Sequence, residues 1–255
     1  MIRIIMRGCN GRMGQVITDI AGKDTDVQIV AGIDLAELPN GMKNPYPVFT
    51  HLTDCDIDAD VVIDFTSAKG LTELLSVCRA RKLPIVLCTT GFSEDQLAQI
   101  DEASADIAIL RSANMSLGIN TLSKLAAAAA KILAEAGFDM EIVERHHNQK
   151  LDAPSGTALI LADSINAAMN NEYHYIYDRS TRREVRDPKE IGISAVRGGT
   201  IVGQHEIIFA GRDEVIELKH TAYSRSVFGT GAVQAAKYLA GKPAGMYDMN
   251  GVVGA

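Results

Sequence analysis

A short apolar run followed at once by a glycine-spaced turn restricts this chain more than any other feature. Ile2 to Met6 is apolar and β-branched, as a buried strand requires. It leads into Gly8-Cys9-Asn10-Gly11-Arg12-Met13-Gly14 and then a helical pattern from Gln15 to Gly22. Strand, glycine turn, helix is the context in which backbone N–H groups at a helix N-terminus can cradle a dinucleotide pyrophosphate. The spacing is GxxGxxG, with Asn10 where the commoner GxGxxG fingerprint has glycine; asparagine tolerates left-handed backbone angles better than most residues. A second strand, Val27 to Ile33, ends in Asp34, about twenty residues after Gly14, where a carboxylate can hydrogen-bond an adenosine ribose. Taken alone, Asp34 reads equally well as an ordinary loop aspartate. A carboxylate there repels a 2′-phosphate, Leu35 brings no compensating charge, and Lys43 in the next loop is the candidate that could.

The strand–helix alternation then repeats. Residues 36–56 are turn-rich, with a short strand near Val48. The run Val61 to Phe65 predicts a strand, Lys69 to Lys82 a helix, Pro84 to Leu87 a strand, Glu94 to Ala103 a helix and Ile107 to Leu110 a strand. This is the pattern of a doubly wound parallel sheet, whose ligands lie beyond the carboxyl ends of the strands. Asp34, Thr66, Thr89, Thr90 and the segment Ser112 to Asn114 fall at such ends. The pattern changes after Met115. An Ala-rich helix is expected from Asn120 to Ala136, a strand over Met140 to Glu144, and an exposed, charge-mixed loop from Tyr173 to Asp187 holding Arg182, Arg183 and Arg186. Three strands follow, Ile191 to Arg197, Thr200 to Ala210 and Glu214 to Tyr223, joined by short glycine-containing turns and expected as an antiparallel meander. A last helix, Gly231 to Ala240, leads to Gly245–Met249, expected to rejoin the first sheet. The expected fold class is α/β: a doubly wound parallel-sheet domain, 1–117 with 227–255, and an α+β domain, 118–226, with an open, largely antiparallel sheet.

The chemistry concentrates in Glu141 to Ala158, EIVERHHNQKLDAPSGTA. His146, His147 and Lys150 fall within five residues and precede Pro154-Ser155-Gly156-Thr157 and an apolar helical run. Ser155 is a good N-cap, so the helix aims unpaired N–H groups and the positive end of its dipole back at the cations. Gly156 leaves room for an oxygen to reach the backbone. Such a receptor suits a small polyanion, most simply a carboxylate-bearing metabolite, and histidines supply groups that titrate near neutral pH. An isolated HHxxK is ordinarily a solvated turn. A metal site lacks a carboxylate or cysteine at zinc-like spacing, and lysine is not a ligand type, so no metal is expected.

Composition narrows the classes. The 255 residues are 47% hydrophobic and 22% charged with a net charge of −7, which argues against nucleic acid as a partner and requires a local positive pocket for any anion. Cys9, Cys55, Cys78 and Cys88 are scattered without CxxC pairs and read as reduced thiols. Arg3 and Arg7 interrupt what would have to be a signal peptide's apolar core, and no run approaches the ~18 apolar residues of a membrane span, so a cytoplasmic, non-membrane protein is expected.

These motifs, in order, resemble the dihydrodipicolinate reductase family, also called 4-hydroxy-tetrahydrodipicolinate reductases, of lysine and diaminopimelate biosynthesis. GCNGRMG, DFTSA, TTGF, ANMSLGIN, ERHHNQKLDAPSGTA, RGGTIVGQHEIIFAG and FGTGA carry the resemblance over essentially the whole chain. The resemblance implies a Rossmann-like domain for NADH or NADPH, a second domain for a cyclic dicarboxylate, and a homotetramer formed through the second domain's sheet. It assigns His146 as the acid/base residue, Lys150 as a proton donor, His147 to substrate binding, and Gly156 and Thr157 to a substrate carboxylate. It assigns the coenzyme to Gly8, Cys9, Asn10, Gly11, Arg12, Met13, Asp34, Cys88, Thr89, Thr90, Ser112, Ala113, Asn114 and Met115. Two positions depart from the family: Cys88 stands where glycine is usual and crowds the site, and Leu35 stands where some members carry a cation. NADH is therefore expected to serve at least as well as NADPH. Rival readings are another two-domain dehydrogenase, acting on aspartate semialdehyde or a sugar, and a nucleotide-sensing protein without turnover. The semialdehyde reading needs a nucleophilic cysteine in the second domain, and all four cysteines precede residue 89.

Overall fold

The apolar run at the N-terminus forms the strand β1 (Ile2–Arg7), which lies between β2 (Val27–Ile33) and β4 (Val61–Asp64) and runs parallel to both. The structure, a computed structural model, describes residues 1–254. The chain divides into two compact units, Met1–Leu117 with Ser226–Ala255, and Gly118–Arg225. Residue 255, the end of the expected first domain, lies outside the described residues.

In the first unit β1 is followed by α1 (Arg12–Ala21), β2, β3 (Val48–Phe49), β4, α2 (Leu71–Arg81), β5 (Ile85–Leu87), α3 (Glu94–Ala103) and β6 (Ala108–Arg111). The seven strands, counting β12 (Gly245–Tyr247) beside β6, run in the order β12-β6-β5-β4-β1-β2-β3, all parallel. The sheet is doubly wound because both faces are covered. Ile4, Met6, Val61 and Ile63 pack with Ile17 of α1 and with Ala232 and Ala235 of the C-terminal helix. Ile5, Val62, Ile85 and Leu87 pack with Leu71 and Leu74 of α2 and Ile100 of α3. Each such side chain removed from water contributes ~1.5–3 kcal/mol, so a continuous apolar run is what this strand position demands. Strand order reverses between β1 and β4, and the crevice beyond their carboxyl ends is the customary ligand site of such sheets.

Helix ends differ from the sequence reading for packing reasons. α1 begins at Arg12 rather than Gln15, because Gly14 belongs to its first turn: a Cβ there would collide with the carbonyl oxygens of Gly8 and Cys9. The last long helix begins five residues before Gly231. Its glycines are contact points: a Cβ on Gly231 would overlap the Met115 carbonyl and one on Gly229 would press on Ile20 and Val16.

The second unit holds α4 (Leu117–Leu133, of which Leu117 counts with the first), β7 (Asp139–His146), α5 (Gly156–Ala168), β8 (His174–Ile176), β9 (Glu190–Arg197), β10 (Gly203–Ala210) and β11 (Val215–Ala222). The chain then returns to the first unit with α6 (Ser226–Leu239), β12 and α7 (Met249–Val253). α4 stops three residues short of Ala136, because Gly137 at φ +83° lets the Phe138 N–H return to the Leu133 carbonyl and close the helix. The sheet order is β11-β10-β7-β9-β8. β10 pairs antiparallel with β11 and β7, whereas β7–β9 and β9–β8 are parallel, so the open sheet is mixed. The expected meander is corrected here: β7 inserts between β9 and β10, and the glycine-rich link joining them passes over the carboxyl end of β7. Gly198 N–H bonds the His146 carbonyl at 2.9 Å, and Asn148 N–H bonds the Gly199 carbonyl at 3.2 Å. The expected strand over Met140–Glu144 therefore extends through His146.

The Tyr173–Asp187 stretch is largely exposed, as expected, but it is not all loop. It contains β8, and its arginines strap it to the sheet. Arg179 and Arg182 both pair with the buried Glu190, at 2.6 and 2.9 Å, while Arg186 pairs with Asp139 at 2.7 Å and reaches Glu141 at 3.2 Å. β7 alternates strictly between buried and half-buried residues; Met140 and Ile142 pack with Leu122 and Ala126 of α4 and Leu161 of α5. Among the described residues no helix is long and apolar enough to cross a membrane.

Candidate active site

The turn after β1 is built by close approach. Gly8 has φ +84°, and a Cβ on it would lie 2.6 Å from the Phe65 carbonyl oxygen at the end of β4. Gly11 is the N-cap of α1, and no side chain caps this helix, so its first N–H groups are left for a ligand. Asp34 accepts from Asn10 N–H at 2.8 Å and Ala36 N–H at 3.0 Å, which orients its carboxylate at the turn. It borders two depressions. One, about 590 Å³, is shared with Asn10, Leu35 and Lys43; the other, about 370 Å³, with Arg7, Thr66 and Lys69. A third, about 290 Å³, brings Thr89, Thr90, Ser112 and Ala113 together. These features fit a dinucleotide: a cradle that any Cβ would fill, an uncapped helix end and an oriented carboxylate.

Several expected cofactor residues can offer only their backbone. Cys9 is fully buried in the core, where burial and nearby Asp34 push its thiol up to about 12. Thr89 Oγ1 donates to Asp64 Oδ2 at 2.6 Å. Cys88 packs its partly buried side chain against the core, and burial with nearby Asp64 raises its thiol well above the ordinary value. Ser112 Oγ donates to the Asn114 carbonyl at 2.9 Å, and the Asn114 side chain accepts from Ser116 N–H at 2.8 Å. Met115 is buried, whereas Arg12 and Ala113 are exposed and Met13 half-buried. Beneath these strand ends lies a network not visible in the sequence. Arg7 Nη1 donates to Asp64 Oδ1 at 2.7 Å and Thr66 Oγ1 at 2.6 Å, with Arg7 8% and Asp64 1% exposed.

In the second unit β7 delivers Glu144 and His146, two residues apart and so on one face, against the N-terminus of α5. Ser155 caps that helix, accepting from Ala158 N–H at 3.2 Å. Glu144 is fully buried and saturated with donors. Its Oε2 accepts from His146 Nδ1 at 2.6 Å and Arg197 Nη1 at 2.7 Å; its Oε1 accepts from Arg197 Nη2 at 2.7 Å and Ser155 N–H at 2.9 Å. Burial alone would raise the Glu144 pKa, but Arg197, His146 and Ser155 outweigh it and hold the carboxyl below its ordinary range. Lys150 pairs with Asp152 at 2.8 Å, and its N–H bonds the His147 carbonyl at 3.2 Å, so the expected cations share one turn. Gly156 is exposed, its φ is not positive, and nothing lies within 4 Å of where its Cβ would stand. Neither conformation nor packing explains glycine there, and its backbone N–H donates to the Asp152 carboxylate. Thr157 is the next residue of the same turn.

Sequence reasoning missed Glu144, Arg197 and His205. The i, i+2 spacing of Glu144 and His146 was an available signal; Arg197, paired in register with His146, was not. His205 stacks edge-on to His146 at 5.1 Å, and its Nε2 lies 3.0 Å from Ser155 Oγ. Burial and neighbouring His146 push its pKa down to about 4, only partly offset by Glu144. Between about 6.5 and 4 the unfolded chain binds this proton and the folded chain does not, so stability falls as pH falls through that window. The loss from His205 is expected to reach about 3 kcal/mol. The partly buried His220, opposite it on β11, adds in the same direction. Denaturant titrations from pH 7 to 4 should show a shallower decline for His205→Gln; an identical slope would refute the assignment.

A doubly wound, dinucleotide-type sheet joined in one chain to a mixed-sheet unit that gathers Glu144, His146, Arg197 and the Lys150 turn at a helix N-terminus fits the class of two-domain oxidoreductases. The family model for the dihydrodipicolinate reductase N-terminus matches residues 2–115 and that for its C-terminus residues 118–253. The chain belongs to the dihydrodipicolinate reductase family. It is 51% identical over 253 residues to the 4-hydroxy-tetrahydrodipicolinate reductase of Caldanaerobacter subterraneus subsp. tengcongensis, covering 99% of this chain and 98% of that one. It is 48% identical over 250 residues to the enzyme of that name from Clostridium tetani, covering 98% and 96%. The dipicolinate-bound dihydrodipicolinate reductase of Paenisporosarcina sp. TG-14 superposes with a TM-score of 0.81 at 28% identity, over 98% of both chains.

Proposed function

We propose that the chain reduces 4-hydroxy-tetrahydrodipicolinate to tetrahydrodipicolinate with NAD(P)H, a step of lysine and diaminopimelate biosynthesis. The observation that carries this reading is the open space over Gly156 at the N-terminus of α5, which Glu144 ties to His146 and Asp152 ties to Lys150. That is a receptor for a carboxylate, and a reductase of this family binds dipicolinate. The first unit holds the dinucleotide through Gly8–Met13, Asp34 and the backbone of 88–90 and 112–115. Bound there, the reduced nicotinamide supplies hydride. The N–H groups of Gly156 and Thr157 hold one substrate carboxylate, with His147 beside them. Lys150 and His146 stand ready to protonate the position that hydride addition leaves electron-rich. The protein works in the cytoplasm, consistent with its four free cysteines. It assembles as a homotetramer through the face of the second sheet that carries Glu141, Val143 and Arg145, opposite to the face that α4 and α5 cover.

Loss of NADH absorbance on adding freshly made 4-hydroxy-tetrahydrodipicolinate, inhibited competitively by pyridine-2,6-dicarboxylate, tests the reaction. No turnover with either coenzyme would end the proposal. For the receptor, Gly156→Val is expected to raise substrate KM by on the order of tenfold with no loss of melting temperature, because the position is helical and open and valine is no worse than glycine in a helix. An unchanged KM would remove the carboxylate from this site. For the coenzyme, kcat/KM with NADH is expected to equal or exceed that with NADPH, since Asp34 opposes a 2′-phosphate. A ratio about tenfold in favour of NADPH, or ~1.4 kcal/mol, would mean that Lys43 on the same pocket overrules it.

A further inference from the structure

Glu144 has no role in the reading above, yet it touches His146 and Ser155 directly and the Lys150 turn through Arg197. One oxygen holds the ring of His146 and the other holds the N–H of Ser155, the N-cap of the helix that receives the carboxylate. Arg197 grips both oxygens in a fork and with Nη2 also donates to the Asp152 carbonyl at 2.6 Å, within the turn that carries Lys150. An ionised carboxylate only accepts, so Nδ1 of His146 must carry a proton. Nε2 has no hydrogen-bond partner among the described residues and lies beside Gly203, where a Cβ would stand 3.2 Å from it. Gly203 thus keeps the working nitrogen uncovered.

We infer that Glu144, clamped by Arg197, is the positioning residue of this site: it fixes the Nδ1–H tautomer of His146 and sets the imidazole at a constant separation from the α5 N-terminus and the Lys150 turn. The inference rests on the assignment of His146 as acid/base residue. Its logic is that of the carboxylate–histidine pairs in which a buried acid orients a ring without itself reacting. Glu144→Gln makes the prediction sharp. Four donors surround Glu144, and a carboxamide has one acceptor oxygen and one NH₂. In either orientation the NH₂ meets one Arg197 N–H, which must give way. At the Oε1 position it would also oppose the fixed backbone N–H of Ser155, so it takes the Oε2 position facing His146. His146 adapts by moving its proton to Nε2, so the variant is expected to hold the ring in the opposite tautomer.

The test uses the full-length protein with ¹⁵N-labelled histidine, read by NMR at a pH where the ring is neutral, alongside steady-state kinetics. Wild type should show His146 protonated at Nδ1, and Glu144→Gln at Nε2. The same variant should lose about 100-fold in kcat, with NADH dissociation constant unchanged. A folded Glu144→Gln with the wild-type tautomer, or with kcat within about twofold of wild type, overturns the inference. Should Glu144→Gln not fold, Arg197→Lys decides. It keeps the charge but loses the fork, and is expected to retain the Nδ1–H tautomer while lowering kcat/KM about 10-fold through the loosened Asp152 turn; unchanged kcat/KM overturns the clamp. Because the tautomer is read without substrate, it stands or falls independently of turnover. A wild-type protein that shows Nδ1–H yet reduces nothing would refute the proposed reaction and leave the positioning intact.

Discussion

Lys150→Ala is expected to lower kcat by about 10²–10⁴-fold, the usual worth of a positioned general acid, with NADH binding unaffected. In the free protein the ammonium rests on Asp152 at 2.8 Å, a carboxylate 57% exposed and held below its ordinary pKa by that bond. A pair this accessible is worth only ~0–1 kcal/mol, so Asp152 parks the ammonium near the α5 N-terminus without trapping it. A dianion arriving at Gly156 offers a second carboxylate and can draw the cation away at little cost. His146→Gln should depress kcat on the same scale, and the double variant should fall short of the product of the two, because groups serving one proton transfer are not additive. His147→Ala should act mainly on KM. Near wild-type turnover in both Lys150→Ala and His146→Gln, with folding confirmed by circular dichroism, would strip both residues of their roles.

How much of this was readable from the chain depends on the range of the interaction. Val61–Phe65 announced a buried strand because a sheet covered on both faces needs apolar side chains in succession. Ser155 announced a helix start because its partner, Ala158 N–H, lies three residues away. The histidines, lysine and glycine of the second unit were legible for the same reason: they share one short stretch. What holds them was not. Arg197 reaches Glu144 across 53 residues, and that contact exists only because β9 lies beside β7, an order concealed by a link short enough to pass for a hairpin turn. The helix expected from Gly231 starts at Ser226, and Gly229 and Gly231 admit neighbouring elements to its surface. Charge told half of the arginine strap: its mixed signs marked an exposed stretch, but not that Glu190, 2% exposed, lies beneath two of its guanidinium groups.

Arg7 is the sharpest case of a residue whose neighbours the sequence hid, and it carries the largest expected effect on stability. Its guanidinium sits at the carboxyl end of β1, donating to Asp64 and Thr66 at the end of β4 and to the Gly70 carbonyl at 3.1 Å, with side chains 10% and 2% exposed for Arg7 and Asp64. Asp64 also accepts from Thr66 Oγ1 at 2.8 Å and Thr89 Oγ1 at 2.6 Å, so one carboxylate joins the ends of β1, β4 and β5 at the point where strand order reverses. Removing one member of a buried pair strands the other charge, which costs ~3–5 kcal/mol, a large part of the ~5–15 kcal/mol that holds a domain folded. Arg7→Met is therefore expected to destabilise the first unit by that amount in urea titrations. Asp64→Asn in the Arg7→Met background removes the stranded charge, and the double variant should recover part of the loss. If Arg7→Met came within 1 kcal/mol of wild type, the network would be ornament and Gly70, whose Cβ position the guanidinium already occupies, would tolerate alanine. If it falls as expected, alanine at Gly70 should also cost stability, because it must push that guanidinium aside. The rim of the dinucleotide crevice is then held by an ion pair that only the strand order could have assembled.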